Sequence, residues 1–337
     1  MRQNHPKEKV AILRVLRDAD RPLGGDAIAQ AIQAYGLDLS GRTVRLYLKE
    51  MEQEGLVGPA GRGRRGGRTI TELGLEEIKH ALIFDRVGFT AAKVDELACR
   101  MTFDLPSRRG LIVLNVTTLE EKHLPQAIRA MVPVFHAGLG MGNCVAVVRP
   151  GERMGDYQVP RGKVGIGTVC SVTFNGVLLK AGIPTVSRFG GVLELREGKP
   201  VRFTDVIYYD GTSLDPLEVF IKGGLTDVRD ASRNGHGRIG ASFREVPTAA
   251  LRQVEKISRE LALIGLGGVL LVGKPNQPLL DFPVHEGRTA VILTGGLNPA
   301  AALQEAGIES DSVALGALYE FERLIHYQRL VEEAAQR

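Results

Sequence analysis

Between residues 59 and 71 the chain reads Pro59-Ala-Gly-Arg62-Gly-Arg64-Arg65-Gly-Gly-Arg68-Thr-Ile-Thr71. Glycines at this density permit a turn that reaches φ > 0 and approaches a surface closely, and four arginines supply planar donors matched to phosphate oxygens. With apolar Leu56-Val57 on one side and Ile70 on the other, the stretch reads as a β-hairpin with a basic tip.

Working outward, Thr71 is a cap for a helix over 72–82, with Leu73, Leu75, Ile78 and Leu82 expected to face inward. Upstream, Val10, Leu13, Val15 and Leu16 give one apolar face to a helix over 7–17, with Lys7, Lys9, Arg14 and Arg17 largely off that face. Pro22 and Gly24-Gly25 interrupt it, and Ile28, Ala29 and Ile32 mark a second helix that ends by Gly36. Ser40 offers an N-cap to a third, whose Val44, Leu48 and Met51 recur at i, i+4 and i+7 until Gly55. Helix, helix, helix, hairpin, helix is the order of a winged helix-turn-helix domain, here residues 1–82.

In that architecture the third helix enters the major groove of DNA. Its outward side should present Arg42, Thr43, Arg45 and Lys49, and the wing should bring Arg62, Arg64, Arg65 and Arg68 to the backbone or the adjacent minor groove. A lone arginine on a helix is ordinarily solvated surface; eight basic or polar groups on two adjacent elements favour a polyanion. The charge distribution agrees. Residues 1–70 hold 13 Lys and Arg against 8 Asp and Glu, whereas the rest of the chain holds 30 against 31. The net charge of +4 therefore belongs to the head of the molecule.

A chain of 337 residues exceeds one small domain, and 44% hydrophobic with 24% charged residues suits folded domains. The longest apolar run, Leu263 to Val272, is broken by Gly265, Gly267 and Gly268, so no membrane helix is expected. The polar N-terminus lacks a signal-peptide core, and a cytoplasmic location is expected. Cys99, Cys144 and Cys170 are odd in number and form no C-x-x-C pair, which argues against a disulfide framework or a zinc knuckle. Cys170 reads as a small buried residue in preference to a reactive thiol.

Residues 83–337 read as an α/β or α+β domain. After a helical and loop connection over 86–109, strands are expected at 111–115, 144–148, 164–172, 191–196, 201–208, 238–243, 269–272 and 289–293, with helices over 119–135 and 247–264. Leu178-Leu-Lys-Ala-Gly-Ile183 is echoed by Leu303-Gln-Glu-Ala-Gly-Ile308, a hint of two related halves. Gly138-x-Gly-x-Gly142 does not carry a dinucleotide site, because a helix precedes the glycines and a strand follows them. There is no Gly-x-Ser-x-Gly, and the histidines are scattered without metal-ligand spacing, so no catalytic or metal residue is assigned.

Polar residues cluster among glycines at three turns: Gly165 to Gly176, entering a helix near Asn175; Asn234 to Glu245; and Thr294 to Pro299, with Asn298 as N-cap. Each alone is an ordinary strand-to-helix turn. Together, with Arg188 and Arg244 as anion clamps, they outline a small-anion site of Thr168, Ser171, Arg188, Arg244 and Asn298.

With these residues in view the chain resembles the NrpR family, nitrogen-regulatory transcriptional repressors known chiefly from methanogens. The resemblance is carried by Gly167-Thr-Val-Cys-Ser-Val-Thr173, Asn175-Gly-Val-Leu-Leu-Lys-Ala-Gly-Ile-Pro184, Phe189-Gly-Gly191, Leu214-Asp-Pro-Leu-Glu-Val-Phe-Ile221, Phe243-Arg-Glu-Val-Pro247 and Gly295-Gly-Leu-Asn-Pro299. It implies a winged helix followed by a single regulatory domain, a homodimer on operator DNA, and release of nitrogen-assimilation genes when the effector 2-oxoglutarate binds. Asn175 stands where the resemblance leads us to expect Asp, so a charge at that helix entrance is missing. Two other classes compete: a metabolite-processing enzyme carried to nucleic acid by its N-terminal module, and a constitutive architectural DNA-binding protein.

Overall fold

The apolar residues from Val10 to Leu16 fall on the buried side of α1 (Lys7–Asp18), the first element of the computed structural model, which describes residues 7–19, 21–35, 37–60, 67–78 and 89–335. It is followed by α2 (Gly25–Ala31), a 3-10 turn (Ile32–Tyr35) and α3 (Gly41–Gln53), then by β1 (Val57–Pro59) paired antiparallel with β2 (Arg68–Ile70). Val44, Leu48 and Met51 of α3 join Ile12, Leu13, Ile28, Ile32 and Val57 in one core. This is the winged helix expected from the sequence.

Two details depart from expectation. In α4, residues 72–78, Leu73 and Leu75 are 50% and 37% exposed instead of facing inward. Thr71 Oγ1 accepts from the Gly74 N–H at 3.1 Å, which sets the helix phase so that Gly74 and Ile78 turn to the core. A Cβ at position 74 would lie 2.2 Å from the Leu56 carbonyl oxygen, so no side chain fits there. Leu82 lies outside the described residues. Lys9, expected with the solvent-facing bases, is buried, where Glu54 at 2.8 Å and Glu50 at 3.4 Å receive its ammonium.

The chain divides into two compact units, Met1–Val87 and Gly88–Arg337. The second runs α5 (Phe89–Arg100), β3 (Leu111–Glu120), α6 (Leu124–His136), β4 (Cys144–Val148), β5 (Arg153–Met154), β6 (Tyr157–Gln158), β7 (Lys163–Val169), α7 (Val172–Lys180), β8 (Val186–Arg196) and β9 (Lys199–Tyr208). It continues with α8 (Pro216–Lys222), α9 (Val228–Asn234), β10 (Gly237–Pro247), α10 (Leu251–Leu263), β11 (Val269–Val272), β12 (Arg288–Thr294), α11 (Asn298–Glu305), β13 (Asp311–Glu320), β14 (Ile325–His326) and α12 (Tyr327–Ala335). Two five-stranded sheets result, ordered β11-β12-β10-β8-β9 and β13-β3-β7-β4-β14, with every pairing antiparallel.

The order β3-α6-β4-β7-α7-β8 recurs as β10-α10-β11-β12-α11-β13. Both first strands run into a short 3-10 turn, Glu121–His123 and Thr248–Ala250, before helices of 13 residues each. The sheets match in order, β8-β10-β12-β11 against β13-β3-β7-β4, with a twist of connectivity: each half sends its last strand into the sheet of the other. The echo between 178–183 and 303–308 falls on matching helix ends. Ile183 N–H donates to the Leu178 carbonyl at 2.9 Å and Ile308 N–H to Leu303 at 3.0 Å, around Gly182 (φ 76°) and Gly307 (φ 70°), the same left-handed C-terminal motif twice.

The strands expected at 144–148 and 269–272 are present with those bounds, and those at 111–115, 164–172, 191–196, 201–208, 238–243 and 289–293 are present with shifted ends. The helix expected over 119–135 begins only at Leu124, because β3 continues to Glu120. Strands β5, β6, β13 and β14 and helices α8, α9 and α12 match no element expected from the sequence.

Candidate functional site

The outward side of α3 is assembled by its cap. Ser40 Oγ accepts from the Thr43 N–H at 3.1 Å and lies 2.8 Å from the Thr43 hydroxyl, so Thr43 is committed to starting the helix. Arg42, Arg45 and Lys49 are exposed, and Arg45 reaches Asp26 at 3.1 Å in a pair open to solvent. The acids on the C-terminal half of the helix are all engaged. Glu50 and Glu54 hold Lys9, and Glu52 receives Arg68 from the wing at 2.8 and 3.1 Å. Burial works against the Lys9 charge, but Glu54 and Glu50 outweigh it and raise its pKa. Negative charge that would repel a polyanion is thus neutralised within the domain. Arg68 also donates to the Gly67 carbonyl at 3.1 Å, so it clamps wing to helix; Arg62, Arg64 and Arg65 lie outside the described residues.

In the second unit the expected anion residues separate into three groups. Arg244, on central strand β10, is 1% exposed and has only neutral partners. It donates to Asn175 Oδ1 at 2.6 Å, to Ser171 Oγ at 2.7 Å and to Ser187 Oγ, while its Nε finds no partner. Burial pulls its pKa down, opposed by Tyr209, Cys170 and Asp215. A buried guanidinium without a carboxylate is costly unless an anion compensates it.

Arg188, the extra residue at a register shift in β8, is absent from this cluster. It pairs with Glu245, which side-chain alternation places on the opposite face of β10, and lies 2.8 Å from His285 Nδ1. Thr168 and Asn298 serve the backbone. Thr168 Oγ1 donates to the Gly296 carbonyl at 2.7 Å, and Asn298 Nδ2 donates to Leu139 and Gly240 carbonyls while its Oδ1 accepts from the Gly240 N–H. Asn298 is the first helical residue of α11, not its cap, and α7 starts at Val172, three residues before Asn175.

Beside Ser171 is a small cavity of about 20 Å³, lined among others by Asn115, Cys170, Tyr209, Asp215 and Gly296. That is room for a water molecule. Asp215 caps α8 by accepting from the N–H groups of Leu217 and Glu218, and desolvation together with Glu218 raises its pKa to about 6. Burial pushes the Cys170 thiol up to about 11, which makes it an inert core residue. Ser187, Tyr209 and Asp215 went unnoticed as site residues in the sequence, since nothing local distinguishes them before the sheets bring them to Arg244.

Residues 10–78 match the Ribonuclease R winged-helix domain, and residues 87–326 match the NrpR regulatory domains NRD1 and 2. The Global nitrogen regulator NrpRI of Methanosarcina mazei is 34% identical over 318 residues, covering 94% of this chain and 97% of that protein. This chain belongs to the NrpR family. Two further NrpR proteins, each named a global nitrogen regulator, are similar: that of Methanococcus maripaludis at 32% identity over 90% of this chain, and that of Methanocaldococcus jannaschii at 31% over 89%. The chain spans 52% and 51% of their lengths. A crystal structure of a nitrogen repressor-like protein from Methanococcus jannaschii superposes with a TM-score of 0.60 at 28% identity, covering 70% of this chain and 97% of that one. The NrpR relatives are named as regulators, not as enzymes. Among the described residues, no helix is long and apolar enough to cross a membrane.

Proposed function

We propose that this NrpR-family chain is an effector-responsive transcriptional repressor. It acts as a cytoplasmic homodimer, binds double-stranded operator DNA through α3 and the wing, and releases nitrogen-assimilation genes when a small carboxylate, 2-oxoglutarate, occupies the second unit. The observation that carries the DNA reading is the outward side of α3, where Arg42, Arg45 and Lys49 stand exposed while Glu50, Glu52 and Glu54 are neutralised internally. Arg62, Arg64 and Arg65 extend the contact along the backbone, while Thr43 and Arg68 position the two elements.

The effector reading is supported by Arg244, a buried cation among neutral donors and acceptors. Ser171, Ser187 and Asn175 orient it; Thr168 and Asn298 hold the flanking turns; Arg188 is bound to Glu245 on the other face. Effector binding shifts DNA occupancy only if the released arrangement binds it more tightly; the cavity beside Ser171 has room for one water molecule, and β10 and α7 come from different halves of the fold, so a dicarboxylate enters between them only by opening that relation of the halves.

The test is binding of the full chain to DNA from its own promoter across a salt series, with and without 2-oxoglutarate. Six phosphate contacts per dimer give a slope of log K against log salt of about −5. A flat salt response refutes the DNA interface; an unchanged affinity with effector refutes the sensor.

A further inference from the structure

The outward side of α3 carries one large apolar side chain among its bases. Leu46 is 60% exposed. At about 100° per residue it points away from the buried line of Val44, Leu48 and Met51, at the middle of the outward face. Arg42 and Arg45 precede it by four and one positions and Lys49 follows by three, so the cations line one flank of this apolar spot, with Thr43 and Glu50 on the other. A single exposed leucine ordinarily needs no explanation. This one occupies the line of the helix nearest the groove floor when the bases beside it reach a phosphate wall.

Phosphate contacts fix position without reading sequence, whereas the groove floor presents base edges. On that floor the apolar group that marks one base is the thymine C5-methyl. A leucine there cannot hydrogen-bond to guanine or adenine edges, and it desolvates them without compensation. Against a thymine methyl it buries apolar surface on both partners.

We propose that Leu46 is a specificity-determining residue that reads the C5-methyl of one thymine in each operator half-site. This rests on α3 being the helix that enters the major groove. Arg42, Arg45 and Lys49 supply affinity, and Leu46 supplies selectivity for T·A at one step. Burying about one methyl group corresponds to roughly a fourfold difference in binding.

The experiment removes the methyl from either side. The preferred duplex is first selected from random sequences with the full-length protein, and each thymine is then replaced in turn by uracil, which lacks only the C5-methyl. In the unaltered protein one uracil per half-site weakens binding about fourfold. In Leu46→Ala, affinity for the thymine duplex falls by the same factor, the uracil penalty disappears, and the salt slope is unchanged. Leu46→Met, which keeps an apolar contact, retains the penalty and serves as the folding control. The proposal is overturned if no uracil position weakens the unaltered protein, or if the penalty persists in Leu46→Ala. If instead Arg42→Ala and Lys49→Ala leave affinity and salt slope untouched, α3 is not the groove helix and the DNA interface itself must be redrawn.

Discussion

The two halves of the second unit solve the same packing problem with different chemistry. Where β3 meets the turn before α7, the Cys170 N–H donates to the Val113 carbonyl at 2.9 Å and the Thr173 hydroxyl grips both the N–H and the carbonyl of Val113. Where β10 meets the turn before α11, the Gly295 N–H donates to Gly240 at 2.7 Å and the Asn298 amide grips both backbone groups of Gly240. Thr173 and Asn298 are equivalent, each three residues past the turn donor. Four residues along the strands the equivalence breaks. Arg244 faces Ser187, Ser171 and Asn175 at one of the two matching sites, and at the other its counterpart Thr117 faces Ser312 at 3.0 Å, with Gly296 and Ala300 in place of Ser171 and Asn175. Shared positions hold the scaffold, and the departure marks where one half acquired a charge.

The largest effect should fall on the scaffold. Asn298→Ala strands the buried Gly240 N–H and removes one of two donors from each of the Gly240 and Leu139 carbonyls, which the Gly295 N–H and the Thr294 hydroxyl still serve, and should cost about 2–3 kcal/mol in denaturant unfolding, against about 1–2 kcal/mol for Thr173→Val. If either substitution costs nothing, the equivalence of the two grips fails. Next comes the departure itself. Arg244→Met should weaken 2-oxoglutarate binding about 30-fold, near 2 kcal/mol, with a nearly unchanged melting temperature, because a buried uncompensated charge adds little stability. Calorimetry that finds unaltered affinity removes Arg244 from the site.

The smallest effect concerns Asp215. Its pKa of about 6 lies above the ordinary carboxylate value of 3.8, so folding takes up a proton between those values. The stability this contributes is present below pH 4 and lost as the pH rises through 6. Asp215→Asn keeps the α8 cap but not the titration. The variant's melting temperature should therefore fall less than that of the unaltered protein as the pH rises from 4 to 7. An identical pH dependence in both would show that Asp215 titrates normally.

The winged helix was legible because each of its signals is local: the Ser40 cap, the spacing of Val44, Leu48 and Met51, and the glycines and arginines of the wing. Leu73 and Leu75 were misread because the same spacing rule ignores that Gly74 must pass close to Leu56. In the second unit the strands could be read one at a time, but their pairing could not, since β3 lies beside β13 from the far end of the chain. The anion residues were legible as types, and Arg244 and Ser171 do meet. Arg188 was separated from them by a single register shift in β8, which no residue pattern announces.

Because each half lends its final strand to its counterpart, the sheet built on β3 is complete only when the unit has been threaded almost from end to end, with Leu111 beside Glu320, while the other closes within residues 186–294, with Gly237 beside Leu195. Such pairings impose a large loop-closure entropy before they return any contact energy. Residues 88–337 should accordingly melt as one cooperative body, emerge slowly from the unfolded ensemble, and tolerate no division between β9 and β10. The same exchange is what two identical subunits make in a strand-swapped pair, here accomplished within one chain.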